Sequence, residues 1–167
     1  MLSKVYLGLG SNLGDRRGNI GRAVDMLRRL SGDVTVSSLY ETSPQGFSGQ
    51  PWFINAACRL WTRLSPFELL ACLKDIQAGL GSPRAFANGP RALDIDVLLY
   101  GRRVFETPSL TVPHPLMARR EFVLAPLAEI APHLRHPVTN ETVGSLLSGL
   151  TASSPKRLAS LSVAAHR

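Results

Sequence analysis

The sequence predicts one domain of the α+β class, in which helices pack on one face of an antiparallel sheet and extra elements follow at the C-terminal end. Its 167 residues, 44% of them hydrophobic, are enough for a single buried core. Strand-like alternation and helix-like spacing of apolar residues follow each other in short segments. No internal repeat or linker interrupts them, so we expect one domain over residues 1–150 and a mobile tail, rich in Ser and Ala, over residues 151–167.

The first strand is expected at residues 4–10, and a helix follows it after a glycine-containing turn. Asn12 or Asp15 is the expected N-cap of this helix. Gly8 and Gly10 do not complete a dinucleotide-binding fingerprint, because the third glycine is misplaced. The apolar residues of the helix recur at the spacing of one helical face: Ile20, Ala23, Val24, Leu27 and Leu30. The chain therefore begins with a strand, a tight turn and a helix.

Two further strands and a second helix follow. Alternation from Val34 to Tyr40 predicts one strand, and residues 53–61 predict the next. The tetrapeptide 65–68, Ser-Pro-Phe-Glu, is a capping box with proline at the first helical position. The buried stripe of that helix is expected to consist of Leu69, Leu73, Ile76 and Leu80.

A strand within residues 89–100 completes the order strand, helix, strand, strand, helix, strand, which is typical of the ferredoxin-like arrangement. Beyond it, residues 102–106 predict a short strand or hairpin arm, and residues 111–115 an extended segment stiffened by prolines. A helix is expected around residues 123–130, where Pro126 is tolerated only in the first turn. These are the extra C-terminal elements.

Two acids at a spacing of two inside an apolar strand are the strongest chemical signal. Alternate residues of a strand share a face, so Asp94 and Asp96 are expected on one side. The residues expected on the other side are Leu93, Ile95, Val97 and Leu99. Two close carboxylates favour a cation between them, and oxygen-only ligation suits Mg²⁺, which takes its other ligands from water and substrate phosphates. Arg91 is a candidate phosphate clamp, while a solvent-exposed strand face remains the alternative interpretation.

Net charge and targeting signals restrict the possible functions less than the two acids do. The formal net charge of +7 indicates an anionic partner, but nucleic acid, a phosphorylated small molecule and simple solubility all agree with it. No apolar run reaches membrane-spanning length and the start does not read as a signal peptide, so a cytoplasmic protein without a membrane partner is expected. Cys58 and Cys72 are expected to be reduced.

Four motifs in order along the chain resemble the signatures of the 6-hydroxymethyl-7,8-dihydropterin pyrophosphokinases of folate biosynthesis. They are residues 10–15 (Gly-Ser-Asn-Leu-Gly-Asp), 53–57 (Phe-Ile-Asn-Ala-Ala), 89–96 (Gly-Pro-Arg-Ala-Leu-Asp-Ile-Asp) and 111–114 (Thr-Val-Pro-His). The resemblance covers about residues 4 to 133. It implies a ferredoxin-like fold, two Mg²⁺ ions, and transfer of pyrophosphate from ATP to the hydroxymethyl oxygen of the pterin, with release of AMP.

The resemblance also implies roles for individual residues. Asp94 and Asp96 match the metal-binding pair, and Arg91 and Arg84 match arginines with a catalytic role at the phosphates. The positions that match nucleotide contacts are Lys74, Arg84, Arg91, Thr111, His114 and Arg120. The positions that match pterin contacts are Thr42, Ser43, Gln45, Phe53, Asn55 and Phe122, where the two phenylalanines would stack on the ring and the others would bond its polar edge.

The sequence departs from the family at several positions around the nucleotide. Ser82, Ala87 and Asn88 stand where the family usually has two arginines and a tryptophan, Gln77 replaces an acid, and Phe53 a common tyrosine. A weakened or non-catalytic homologue that binds pterin or nucleotide is therefore the alternative function. A nucleic-acid-binding domain is the third interpretation, but the aromatic strand motif of that class is absent, so we expect a monomeric enzyme without a nucleic-acid partner.

Overall fold

A computed structural model describes residues 1–44, 49–81, 89–150 and 156–157. The strands are β1 (Ser3–Ser11), β2 (Val34–Val36), β3 (Tyr40–Thr42), β4 (Phe53–Thr62), β5 (Asp94–Tyr100), β6 (Phe105–Glu106), β7 (Thr111–Val112) and β8 (Lys156–Arg157). The helices are α1 (Arg16–Ser31), α2 (Pro66–Gly79), α3 (Glu121–Ile130) and α4 (Val143–Ser148), with a 3₁₀ turn at Met117–Arg119. Within the described ranges, no helix combines the length and the apolar character needed to cross a membrane.

The main sheet has the order β5-β1-β4-β3-β8, and β2 pairs with β4 next to β3. Each of these pairs is antiparallel, which confirms the expected α+β class with an antiparallel sheet. Strands β6 and β7 form a separate antiparallel pair, as expected for the hairpin arm. The long strands β1 and β4 are neighbours within the sheet and contribute residues to the cores on both of its faces.

Both faces of the sheet are covered. On one face, α1 and α2 bury the predicted apolar stripes against alternate residues of β1, β4 and β5. On the other face, α3, α4 and the 3₁₀ turn form a second core with Tyr6, Ala57 and Leu99. The extra C-terminal elements therefore act as a second helical layer, and the sheet lies between two cores. Of the two free cysteines, Cys58 is buried and Cys72 partly so, and burial raises the pKa of the Cys58 thiol to about 12.

The segment from Val34 to Tyr40 forms two strands instead of the predicted one. Ser37 and Ser38 are buried and interrupt the ladder: the Ala57 N–H donates to Ser37 Oγ at 2.9 Å. Glu129 of α3 accepts from the Ser38 N–H at 3.0 Å, from Ser38 Oγ at 2.8 Å and from the Tyr40 hydroxyl at 2.7 Å. The break therefore connects the edge of the sheet to the second helical layer, a long-range contact that local alternation does not reveal.

The prediction that Leu99 lies opposite the two acids is wrong. Tyr6 pairs with Leu99 while Leu7 pairs with Val97, so Leu98 is an extra residue on β5. Such a bulge shifts the residues that follow it to the other face. Leu98 and Leu99 accordingly belong to the second core, and Tyr100 belongs to the first.

The predicted helix caps are confirmed for α1 and α2, but the predicted position of a proline in α3 is wrong. Asp15 caps α1 by accepting from the Gly18 N–H at 3.0 Å, and the predicted capping box of α2 is present at Ser65. The prediction for Pro126 is wrong, because α3 begins at Glu121 and the proline lies inside it. The proline removes one helical hydrogen bond, but its ring is buried with its neighbours, and this packing holds the helix together.

The last described strand lies at the edge of the sheet, where β8 pairs with β3. The mobility of the tail around it stays a prediction.

A buried histidine lies in the turn that precedes α4. His136 is 8% exposed, and its Nδ1 accepts from the N–H groups of Val138 at 3.4 Å and Thr139 at 3.3 Å. Burial lowers the pKa of His136, and Glu141 raises it to a smaller extent.

Candidate active site

Two glycines on the central strand make room for a site on the face that carries the second core. Gly10 of β1 pairs with Asn55 of β4 on one side and with Asp94 of β5 on the other. Gly8 pairs in the same way with Ala57 and Asp96. A Cβ atom on Gly10 would stand 3.2 Å from Asn55 Oδ1, which is too close for ordinary contact. The missing side chains therefore leave an open floor between the amide and the carboxylates.

A cavity of about 320 Å³ lies over this floor. It contains most of the residues that the sequence proposes for both substrates: Thr42, Ser43, Phe53, Asn55, Arg91, Asp94, Asp96, His114, Arg120 and Phe122. Sequence reasoning missed the other lining residues, among them Gly8, Gly10, Leu98, Pro115 and Leu116. The signal for the glycines was their alternate spacing on one strand, which places both on one face.

One end of the cavity holds the two acids. Asp94 Oδ2 accepts from Arg91 Nη2 at 3.0 Å, and the two side chains are 11% and 16% exposed. Asp96 is more open, and its Oδ2 lies 3.9 Å from His114 Nε2. Arg91 supplies positive charge beside Asp94, so a cation that binds this carboxylate has to share it with the guanidinium. Paired carboxylates with room for water and phosphate ligands have the chemistry that suits Mg²⁺.

The surroundings of His114 favour its neutral form. Burial lowers its pKa; Asp96 raises it to a smaller extent, and the charge of Arg120 lowers it further. Its Nδ1 accepts from the Leu116 N–H at 3.2 Å, so the proton of the neutral ring is on Nε2. Nε2 is the atom that faces Asp96, at 3.9 Å from Oδ2.

The other end of the cavity combines aromatic rings with an amide. Asn55 Nδ2 donates to Thr42 Oγ1 at 2.7 Å. The Arg91 guanidinium carbon lies 5.3 Å from the centre of the Phe53 ring. The Arg120 guanidinium carbon lies 5.6 Å from the centre of the Phe122 ring. Arg91 thus contacts both ends of the cavity, through Asp94 and through Phe53.

Some predicted site residues are not brought to the cavity. Lys74 is exposed on α2 and Thr111 lies on β7, and neither lines it. Gln77 approaches β5 from α2 and accepts from the Ile95 N–H, between the two acids, at 3.2 Å. Gln45 and Arg84 lie outside the described residues, as do the departures from the family at 82, 87 and 88.

Comparison with known proteins gives the family. A family model described as 7,8-dihydro-6-hydroxymethylpterin-pyrophosphokinase (HPPK) matches residues 6–132. The chain belongs to the HPPK family. The HPPK relative from Bacillus subtilis, named 2-amino-4-hydroxy-6-hydroxymethyldihydropteridine pyrophosphokinase, is 46% identical over 138 residues, which are 81% of this chain and 83% of that protein.

Other HPPK relatives are longer. "Folic acid synthesis protein FOL1" of Dictyostelium discoideum is 42% identical over 142 residues, which are 85% of this chain but 22% of that protein. The chain therefore spans about a fifth of the length of that relative. The crystal structure of Plasmodium falciparum HPPK-DHPS wild type matches with a TM-score of 0.70 and 15% identity, over 89% of this chain and 44% of that one. This likeness shows the fold alone.

Proposed function

We propose that this protein is an ATP-dependent pyrophosphokinase of folate biosynthesis. It would transfer pyrophosphate from ATP to the hydroxymethyl oxygen of 6-hydroxymethyl-7,8-dihydropterin and release AMP. The observation that carries the proposal is the single cavity with a carboxylate and arginine end and an aromatic and amide end. Membership of the HPPK family supports it.

At the nucleotide end, Asp94 and Asp96 would hold Mg²⁺, with two ions expected when ATP is bound. When bound, the metal neutralises charge that develops on the phosphate oxygens. Arg91 would contact the phosphates from its position beside Asp94, and Arg120 would add a second positive charge. The neutral His114 would donate its Nε2–H to a phosphate or carboxylate oxygen. These groups act by position and charge, which is the main need of phosphoryl-type transfer.

At the pterin end, the flat ring would stack on Phe53 and Phe122. Asn55 and Thr42, which bond each other in the free protein, would turn their polar atoms to the edge of the ring, together with backbone groups near Ser43. The hydroxymethyl oxygen would then attack the β-phosphorus. The bond from that phosphorus to the oxygen that leaves with AMP breaks in line, and the hydroxyl proton is released to water.

The proposal also includes the fold type, the domain boundaries, the oligomeric state and the cellular location. A ferredoxin-like arrangement is supported by the neighbours β5-β1-β4-β3 and by α1 and α2 on one face. We propose one catalytic domain over residues 1–150, acting as a cytoplasmic monomer on small-molecule substrates.

The experiment is to incubate the protein with Mg-ATP and 6-hydroxymethyl-7,8-dihydropterin and to separate the nucleotide products. We expect AMP in equal amount to the pterin diphosphate. Asp96→Asn should abolish this, whereas Asp75→Asn, which changes an exposed carboxylate of α2, should not. ADP in place of AMP, or binding without any product, would overturn the proposed activity.

A further inference from the structure

A buried asparagine joins three segments of the chain, one of which carries the cavity residue Arg91. Asn12 follows β1 and is 1% exposed. Its Nδ2 donates to Gln50 Oε1 at 2.9 Å and to the Pro51 carbonyl at 3.1 Å. Its Oδ1 accepts from the Arg91 N–H at 2.8 Å, and its own N–H donates to the Arg91 carbonyl at 3.1 Å. Every hydrogen-bonding atom of this side chain is therefore used, and none of it caps α1.

This arrangement holds the backbone of Arg91 without using its side chain. Arg91 lies in neither a helix nor a strand, so its N–H and carbonyl have no sheet ladder to fix them. Asn12 satisfies both groups from 79 residues away. The guanidinium, in contrast, contacts Asp94, Phe53 and the Gly89 carbonyl, and its buried Nε has no hydrogen-bond partner among the described residues. The contacts of the backbone of Arg91 are therefore separate from those of its side chain.

A neighbouring asparagine shows what a purely local role looks like. Asn19 of α1 is also buried, and its Nδ2 donates to Ser11 Oγ at 3.2 Å and to the Leu13 carbonyl at 2.9 Å. These bonds stabilise the same turn that contains Asn12. They do not reach Arg91 or the segment that leads into β4. Substitution of Asn19 therefore tests the stability of the turn, whereas substitution of Asn12 also tests the contact with Arg91.

We infer that Asn12 is a positioning residue for the phosphate-directed Arg91. The inference rests on the proposed function for the role of Arg91, but the geometry that links the two residues does not depend on it. Only a short amide supplies an acceptor for the Arg91 N–H together with two donors for residues 50 and 51. Small displacements of a reacting group cost large factors in rate, so a loose Arg91 backbone should slow transfer more than it weakens pterin binding.

The test compares Asn12→Ala with Asn19→Ala and with Gln50→Ala, which removes the bond between Asn12 and residue 50 and leaves the bond from the Arg91 N–H to Asn12 in place. Single-turnover AMP formation should fall about 10- to 100-fold in Asn12→Ala and remain near wild type in the two controls. In the Arg91→Ala background, adding Asn12→Ala should cause no further loss, because a residue that acts through another is non-additive with it. An additive loss, or an equal loss in Asn19→Ala, would overturn the inference.

A second measurement does not depend on turnover. Titration with Mg²⁺ and α,β-methylene-ATP, whose α–β bond cannot be cleaved, should show about tenfold weaker binding in both Asn12→Ala and Arg91→Ala, and no more in the double variant. If wild type binds this analogue but forms no AMP, the proposed activity fails while the inference stands. If Asn12→Ala does not fold, Asn12→Asp replaces it, because it keeps the acceptor for the Arg91 N–H. Because Asn12→Asp also loses the donor to the Pro51 carbonyl, its affinity should lie between those of Gln50→Ala and Arg91→Ala, and a loss as large as that of Arg91→Ala would overturn the inference.

Discussion

Replacing either cavity carboxylate with asparagine is expected to abolish turnover, and Asp94→Asn should lower stability more than Asp96→Asn does. Asp94 accepts from Arg91 at 3.0 Å with both side chains less than a fifth exposed, while Asp96 is 38% exposed and faces the neutral His114. A hydrogen bond to a charged group contributes about 1.5–3 kcal/mol. Asparagine keeps a neutral acceptor for Arg91, so we expect Asp94→Asn to lower the free energy of unfolding by roughly half of this contribution. For a chain of this length, that corresponds to a melting temperature lower by about 2–6 °C.

The assay combines thermal unfolding in the presence of a chelator with single-turnover AMP formation for the same variants. Asp75→Asn serves as the matched control and should change neither quantity. Equal melting temperatures for the Asp94 and Asp96 variants would refute the stabilising pair with Arg91. Turnover at the wild-type rate in either variant would refute the assignment of the carboxylates to the nucleotide end.

Three further outcomes are expected. Gly10→Ala should displace the Asn55 amide and weaken pterin binding by about 2- to 12-fold, measured by calorimetry; an equal loss for Mg-nucleotide would instead indicate damage to the whole site. Phe122→Ala should weaken pterin binding by about 1–3 kcal/mol if stacking dominates, whereas Phe67→Ala, an exposed ring of α2, should not. Because the folded state lowers the pKa of His136, its contribution to stability is complete above the ordinary pKa of about 6.5 and is lost as the pH falls through the folded value. Below about pH 6.5, His136→Gln should reduce the slope of denaturant-measured stability against pH without removing it, because the pKa of His114 is lowered as well. An unchanged slope would contradict this.

Local patterns predicted most of the helices and strands and the common face of the two acids. The strand alternation around Asp94 and Asp96 placed both carboxylates on one face, and the cavity contains both. The capping box at Ser65 and the apolar stripes of the first two helices needed only neighbouring residues. The resemblance to the HPPK family added Phe122, whose distance in sequence from Phe53 hides their common cavity. The functional roles of these residues stay predictions until the variants are measured.

The errors arise where distant contacts override a local rule. The bulge at Leu98 changed the face of Leu99, since the extra residue is accommodated only through pairing with β1. Asn12 was one of two candidates for the cap of α1, yet the hydrogen-bond partners of its side chain are 38 to 79 residues away. No local sequence pattern predicts these partners. Pro126 lies inside α3 because burial of that helix outweighs one lost hydrogen bond.

The paired glycines of β1 also determine how far apart the two substrates can be bound. Asn55, Gly10 and Asp94 belong to three adjacent strands, and neighbouring strands are separated by about 4.8 Å. The backbones that carry the Asn55 amide and the Asp94 carboxylate are thus held about 10 Å apart by two rows of backbone hydrogen bonds. Side-chain substitutions can change the affinity at either end but not this backbone separation. A slip of one residue in strand register would keep the spacing but move every residue of the slipped strand to the opposite face.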